Sequence, residues 1–496
     1  MDLIEPKIPE APAATGHPKQ LYMLFFAEMW ERFSFYGMKA LLLAYMVTQL
    51  KFDEPKGYAI LGSYAALVYT MPMFGGVIAD RFLGYRRAVL FGGILMTIGH
   101  MVLAIPAGWS FFYGMAFIIC GNGFFKPNVS SLVGTLYADN DPRKDSAFSI
   151  FYMGINIGAA LGGLLCGYVG QKINWHYGFG LAGIFMLLGL VVFYIGKDSL
   201  QEKGLPPNPA ALRKPLFSGI PTEIVIYGGT LLVIPMVVAL FHRYEVMDYI
   251  MFGLGALSFA YILYIAFQLE RVARYKLFAA LVLIVFSTLF WAFYEQNAGS
   301  LNLFAMRNVD MQVAGIHLPA LSVNNFLPPA WVIVLSFFFA WLWPALSRKG
   351  WEPSTPLKFG LSFIFLGLGF CVFYAACLQA DNGLIALSAF ILGYFFIICG
   401  ELCLSPIGLS MITKLSPANI VAMMMGIWFF ASAIGEFLAG KIGALMSVPQ
   451  NVVANPVLSL PYYADIISKI GLYSIGIGVV LILLVPLIRR WMADVR

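Results

Sequence analysis

Apolar stretches of twenty or more residues recur along almost the whole chain, and no other feature limits the possible folds so strongly. Each is long enough to cross about 30 Å of hydrocarbon as a helix. Candidate spans fall at 21–48, 57–80, 86–106, 109–136, 146–170, 174–196, 219–241, 247–268, 274–298, 325–347, 356–379, 383–413, 417–446 and 464–490, fourteen in all. The runs are continuous and do not alternate with period two, which argues against an outer-membrane barrel. Composition points the same way. The 496 residues are 60% hydrophobic and only 11% charged, and the mean hydropathy of +0.81 is foreign to soluble globular domains. The expected class is an all-α polytopic membrane protein.

The first eighteen residues, "MDLIEPKIPEAPAATGHP", are polar and rich in Pro and Ala. They lack an apolar core, so no cleavable signal peptide is expected. With the N-terminus inside, 21 of the 31 Lys and Arg fall on the cytoplasmic side, and the positive-inside rule then places both termini in the cytoplasm. Because these basic residues are spread over many loops, no nucleic-acid partner is expected. The six cysteines all lie in apolar spans and read as small core residues rather than as a disulfide or metal framework. His100, deep in a span, reads as a satisfied packing residue.

The polar stretch 197–218 divides the spans as six, two and six. Two six-helix bundles with a substrate site between them near the membrane midplane is the plan of the major facilitator superfamily. The expected organisation is a tail at 1–20, a first bundle at 21–196, a linker at 197–218, an inserted hairpin at 219–268, a second bundle at 269–490 and a tail at 491–496. The segment "GGVIADRFLGYRRAV" supports that plan, because it resembles the G-x-x-x-D-R-x-x-G-R-R loop of the superfamily through Gly75, Asp80, Arg81, Gly84, Arg86 and Arg87. The hairpin carries almost no buried charge and reads as lipid-facing scaffold.

The first span contradicts its own hydrophobicity. "FAEMWERFSFYGMKALL" places Glu28, Glu31, Arg32 and Lys39 within twelve residues. One charge at the bilayer centre costs about 2.5–3.5 kcal/mol on insertion scales. At 100° per residue all four, together with Phe35 and Tyr36, fall on one face, which must point into protein or a wet cavity. Other spans supply partners: Lys126 in "CGNGFFKPNVSSLVG", Glu295 in "FWAFYEQNAGS" and Glu401 in "CGELCLSPIG". Chain direction gives their depths. Glu31 and Lys126 lie level in the inner half. Lys39 is eight residues further out, about 12 Å at 1.5 Å per residue, and level with Glu295. Two pairs are therefore expected: Glu31–Lys126 within the first bundle and Lys39–Glu295 between bundles. A proton on Glu295 would loosen the second pair and bias a two-state equilibrium.

These motifs together resemble the proton-coupled oligopeptide transporters. "EMWERFSFYGM" is similar to that family's E-x-x-E-R-F-x-Y-Y-G signature. "GNGFFKPNVSSLVGTLY", "DSAFSIFYMGINIGAAL", "FWAFYEQ", "GELCLSP" and "GIWFFASAIGEFLAG" resemble its later helix motifs. The resemblance spans about residues 20–490 and implies the major facilitator fold with an inserted two-helix hairpin. It implies proton coupling through Glu28, Glu31, Arg32, Lys39, Lys126 and Glu295. It implies peptide binding by Arg32, Tyr36, Tyr69, Lys126, Asn156, Glu295, Glu401 and Trp428. Glu401 would hold the free amino group and Asn156 would hydrogen-bond the peptide; the cations Arg32 and Lys126 suit its carboxylate. Three positions depart from the pattern: Phe35 for a tyrosine, Pro328 for an asparagine with Asn324 and Asn325 nearby, and Glu436 after the tryptophan motif.

The expected function is proton-driven import of di- and tripeptides and peptide-like drugs by alternating access in a bacterial inner membrane. A related proton-coupled carrier with a different small cargo is the alternative. Protons are the coupling ion. No other cofactor, metal site or catalytic constellation is read from the chain, and a monomer is the expected working unit.

Overall fold

The computed structural model describes residues 16–138, 141–217, 219–417 and 420–493. Most of the expected N-terminal tail, and the last three residues of the expected C-terminal tail, lie outside the described residues. Among the described residues fourteen long helices account for the fourteen expected spans. They are α1 (Lys19–Thr48), α2 (Glu54–Ile78), α3 (Gly84–Leu103), α4 (Ser110–Thr135), α5 (Arg143–Tyr168) and α6 (Trp175–Gly196), then, past a five-residue α7 (Pro209–Arg213), α8 (Thr222–His242), α9 (Glu245–Gln268) and α10 (Arg271–Tyr294). After a short α11 (Ser300–Asn308) come α12 (Ala320–Arg348), α13 (Thr355–Leu378), α14 (Leu387–Leu415), α15 (Val421–Leu445) and α16 (Pro456–Met492).

Eleven helical stretches are long and apolar enough to cross a bilayer, and the first of them, Glu54–Leu103, contains both α2 and α3. Helices α1 and α4 fall below that apolarity because they carry Glu28, Glu31, Arg32, Lys39, Asn122 and Lys126. The polar residues that lower the apolarity of these two helices are the ones the sequence marked on α1 and α4.

Local chemistry sets several boundaries. Asn174 and Asn455 cap α6 and α16, accepting from the backbone N–H of His176 (2.8 Å) and Val457 (3.0 Å), and Pro456 fits the first turn. Gly84 ends the π-helical turn Ala79–Leu83 with φ +69°, a conformation that costs glycine nothing. In the loop motif, Arg86 donates to the carbonyl of Lys203 at 2.7 Å and to that of Gln201. Arg87 pairs with Glu223 at 2.5 Å. The motif therefore fastens the 197–217 segment and the start of α8 to α3. That segment is more ordered than a plain linker, with a 3-10 turn at Lys197–Leu200, α7 and two paired strands at Pro215–Phe217 and Ile220–Pro221. Gly75 lies against the backbone of Gly123 on α4, whereas Asp80 and Arg81 are exposed.

Packing groups the helices. α1 packs on α5 and α6, and α3 on α4 and α6; α13 packs on α14 and α16, and α10 on α15 and α16. The chain has the major facilitator architecture of two six-helix bundles with an inserted hairpin. The hairpin touches both: α8 lies on α4 and α2, α9 on α10 and α15. The two bundles meet along α2–α15 and α5–α12. Backbones come close toward the helix ends opposite the chain termini, where Gly62 faces Gly440 and Gly167 faces Ser322, and the α2–α15 contact continues to Met73 beside Gly426 near the other end. That end is sealed.

His100 corrects an expectation. It is fully buried on α3, but neither ring nitrogen has a hydrogen-bond partner among the described residues. The cysteines are free and, apart from half-buried Cys371, buried.

Candidate functional site

All four charges of α1 are buried, with at most 4% exposure. The helix faces other helices along this stripe, and the stripe splits by height. At the lower level Arg32 bridges its neighbours: its Nε is 3.1 Å from Glu28 and also contacts Glu31. Asn122 of α4 donates to Glu31 at 3.4 Å. The Arg32 guanidinium lies 5.2 Å from the centroid of the Phe35 ring. Its Nη2, Glu28 Oε2 and Asn122 Oδ1 are buried without partners among the described residues.

Glu31 and Lys126 do not form the expected ion pair. Lys126 places its ammonium 4.3 Å from the centroid of the Tyr69 ring, a cation–π contact, and Glu31 is occupied by Arg32 and Asn122. Depth fixed the level of both residues correctly, but it carries no information about rotation around the helix axis.

At the upper level Lys39 donates to Glu295 at 3.0 Å, joining the two bundles as depth-matching predicted. Glu295 directly follows α10 rather than lying within it, because the helix ends at Tyr294. Lys39 also donates to both oxygens of Glu436 on α15, at 3.1 and 3.3 Å. The sequence marked Glu436 as unusual but could not say where it points.

Below this lock lies a cavity of about 200 Å³ between the bundles. Tyr36, Lys39, Tyr69 and Asn156 line one wall; Trp291, Tyr294, Glu295 and Glu401 line the other. Asn325 and Pro328 of α12 complete it, so the proline departure does face the site. Tyr152, also in the lining, keeps 39% exposure. Glu401 is 8% exposed and accepts a 2.5 Å hydrogen bond from the Tyr294 hydroxyl. Asn156 spends one amide hydrogen on the carbonyl of Tyr152.

Three expected binding residues are not in this lining. Arg32 and Lys126 lie behind it, with Lys126 resting on the face of Tyr69. Trp428 is buried in the core against Gly408, where it joins α15 to α14. A polar network beside the cavity joins Asn324 and Asn325, which the sequence marked, to Asn302 and Tyr394, which it did not. Asn302 accepts from Asn324 and Asn325 at 2.7 Å each and donates to the backbone carbonyl of Ala40 on α1 at 3.1 Å. Tyr394 donates to Asn324 at 2.5 Å. The available signal was the density of asparagine in "EQNAGSLN" and "SVNNF", which apolar spans do not need for packing.

A family model described as the POT family matches residues 86–459. The chain belongs to the POT family. It is 37% identical to the uncharacterized transporter YclF of Bacillus subtilis, over 97% of this chain and 96% of that one. It is 32% identical to dipeptide and tripeptide permease B of Salmonella typhimurium, covering 96% and 97%. It is 35% identical to the peptide transporter YePEPT of Yersinia enterocolitica, covering 97% and 96%. A crystal structure of peptide transporter POT in complex with sulfate superposes with a TM-score of 0.82 at 36% identity, covering 97% of this chain and 96% of that one. This POT-family member is a multi-pass membrane transporter.

Proposed function

We propose that the protein is a proton-coupled symporter that imports di- and tripeptides, and peptide-like drugs, by alternating access. In this reading it sits in a bacterial cytoplasmic membrane with both termini inside, and works as a monomer. The observation that carries the proposal is the Lys39–Glu295 ion pair, which joins the two bundles directly above a cavity whose far wall holds Glu401. With the termini inside, the end where Gly62 meets Gly440 and Gly167 meets Ser322 faces outward.

The mechanism follows from charge. An ionised Glu295 attracts Lys39 across the bundle interface and holds the outer end shut. A proton arriving from outside neutralises the carboxylate and weakens the hold on Lys39, which Glu436 shares, and so shifts the balance toward the outward-open arrangement. A zwitterionic peptide then links the halves by its own charges. Its ammonium meets Glu401 on the second bundle. Its carboxylate is drawn to the first bundle, where Lys126 and the free Nη2 of Arg32 lie behind Tyr69 and Tyr36, and an arginine can hold a carboxylate through two hydrogen bonds. The aromatic lining makes few directional demands and suits varied side chains.

The test is uptake of labelled dialanine by proteoliposomes under an inward proton gradient. Accumulation above equilibrium, abolished by a protonophore, is the expected result. Folded protein that equilibrates dialanine without concentrating it, or does not move it, would overturn the proposal.

A further inference from the structure

We propose that Glu436 is a second proton-accepting carboxylate of the coupling site, sharing Lys39 with Glu295. The inference rests on the proton-symport reading above and deepens it.

The geometry begins with a charge imbalance. At the lower level two carboxylates, Glu28 and Glu31, stand among two cations, Arg32 and Lys126. At the upper level two carboxylates converge on one ammonium: Lys39 Nζ is 3.0 Å from Glu295 and 3.1 Å from Glu436. Lys39 is 4% exposed and Glu436 5%, while the Glu295 side chain keeps 15% exposure at the cavity wall, so Glu436 is the better shielded of the two carboxylates. Two like charges at such a site do not both stay ionised when a proton is available. Two carboxylates against one ammonium leave one negative charge uncompensated, and a single proton taken up by the cluster would cancel it.

The other titratable groups around Glu436 do not supply the missing cation. Tyr36 of α1 and Tyr64 and Tyr69 of α2 lie near it and bring hydroxyl groups, not cations. Lys126 of α4 lies further off, on the Tyr69 ring. On α9, Asp248 is engaged by Lys441 at 2.6 Å, and on α14 Glu401 is engaged by Tyr294. A small cavity lined by Lys39, Glu295, Glu436 and Tyr58 has a volume of about 10 Å³, room for about one water molecule. A water there would let a proton pass between the two carboxylates.

Their placement gives the arrangement its function. Glu295 and Glu436 both belong to the second bundle, Lys39 to the first. Separation of the bundles withdraws the ammonium from both carboxylates at once. The one still ionised then takes a proton from the outer side, and the pair stands doubly protonated and neutral. When Lys39 returns, one proton leaves. Either carboxyl group can release it, so the two are redundant. Loss of Glu295 alone leaves a Lys39–Glu436 pair that still opens on protonation.

The test compares wild type, Glu295→Gln, Glu436→Gln and the double variant in proteoliposomes. Each is assayed for proton-driven accumulation and for counterflow exchange of labelled dialanine. The expected result is that both single variants still concentrate dialanine, at a reduced level. The double variant loses accumulation entirely, while counterflow, slowed because Glu295 also lines the cavity, stays measurable. A Glu295→Gln variant that loses accumulation as completely as the double overturns the proposal, as does a double variant that still accumulates. Should the double variant lose counterflow through misfolding, Glu295→Gln with Glu436→Asn takes its place, and the single Glu295→Gln result is decisive by itself. Failure of the wild type to accumulate would instead strike the symport reading, which separates the two failures.

Discussion

Glu401 is a buried carboxylate with one hydrogen bond, from Tyr294, and no ion-pair partner among the described residues. A buried anion without a cation is costly to keep, and a peptide ammonium entering the cavity relieves that cost. Hydrogen bonds to charged groups contribute about 1.5–3 kcal/mol, which is roughly a tenfold to hundredfold change in affinity. Glu401→Gln should therefore raise the KM for dialanine by about that factor and leave the weak binding of N-acetyl-dialanine unchanged. Competition by the two compounds against labelled substrate measures this. If the variant still prefers the free amine as strongly as wild type does, Glu401 does not hold it. At this scale, the stripe on α1 was legible because charges at 100° spacing in an apolar helix leave one reading. Lys39–Glu295 was legible because both residues share a depth. The absent Glu31–Lys126 pair, the Tyr294–Glu401 bond and the aim of Glu436 were not. Each depends on how a helix is rotated about its axis, which only its packing decides.

Helix crossings carry the seal. A Cβ on Gly440 would stand 2.8 Å from the carbonyl oxygen of Tyr58 and 2.9 Å from the Cα of Gly62, so α2 and α15 touch backbone to backbone there. Small residues permit such an approach between membrane helices. Gly440→Leu should push the crossing apart, with an overpacking cost of about 1–3 kcal/mol. That cost falls on the sealed arrangement and raises the open population roughly fivefold to a hundredfold. Thiol labelling of an Ala298→Cys reporter, buried beside the Lys39 lock, reads the change directly. Gly476→Leu on α16 is the control, since nothing lies within 4 Å of its Cβ position. Equal labelling in the two variants would show that the α2–α15 crossing does not set the seal. Among the elements, the long helices were legible from apolar length alone. α11 was not, because "SLNLFAMRN" is too short and polar for a span, and its helix is stabilised by burial under the sealed end. The paired strands near residue 215 likewise depend on Arg86 and Arg87 fastening that segment from another part of the chain.

For the whole molecule, the inserted hairpin raises a mechanical question. It lies across both bundles, α8 on the first and α9 on the second, so rigid-body rocking must slide or flex it. Its polar attachments are Glu223 to Arg87 and Asp248 to Lys441, all between 27% and 40% exposed at the side chain. Pairs this open contribute about 0–1 kcal/mol each, too little to oppose a conformational change driven by substrate and proton. The rest of its contact is apolar, including the groove between α9, α10 and α15, where lipid can replace protein at little cost. Alternating access thus does not need the hairpin, and an even number of spans can be removed without inverting the second bundle. Deleting Thr222–Gln268 behind a flexible linker should preserve proton-driven dialanine accumulation within a few-fold while lowering the melting temperature of the detergent-purified protein. Thermal unfolding and proteoliposome uptake, measured on the same preparation, separate the two effects. A deletion variant that stays folded and exchanges dialanine yet cannot concentrate it would place the hairpin inside the coupling mechanism rather than beside it.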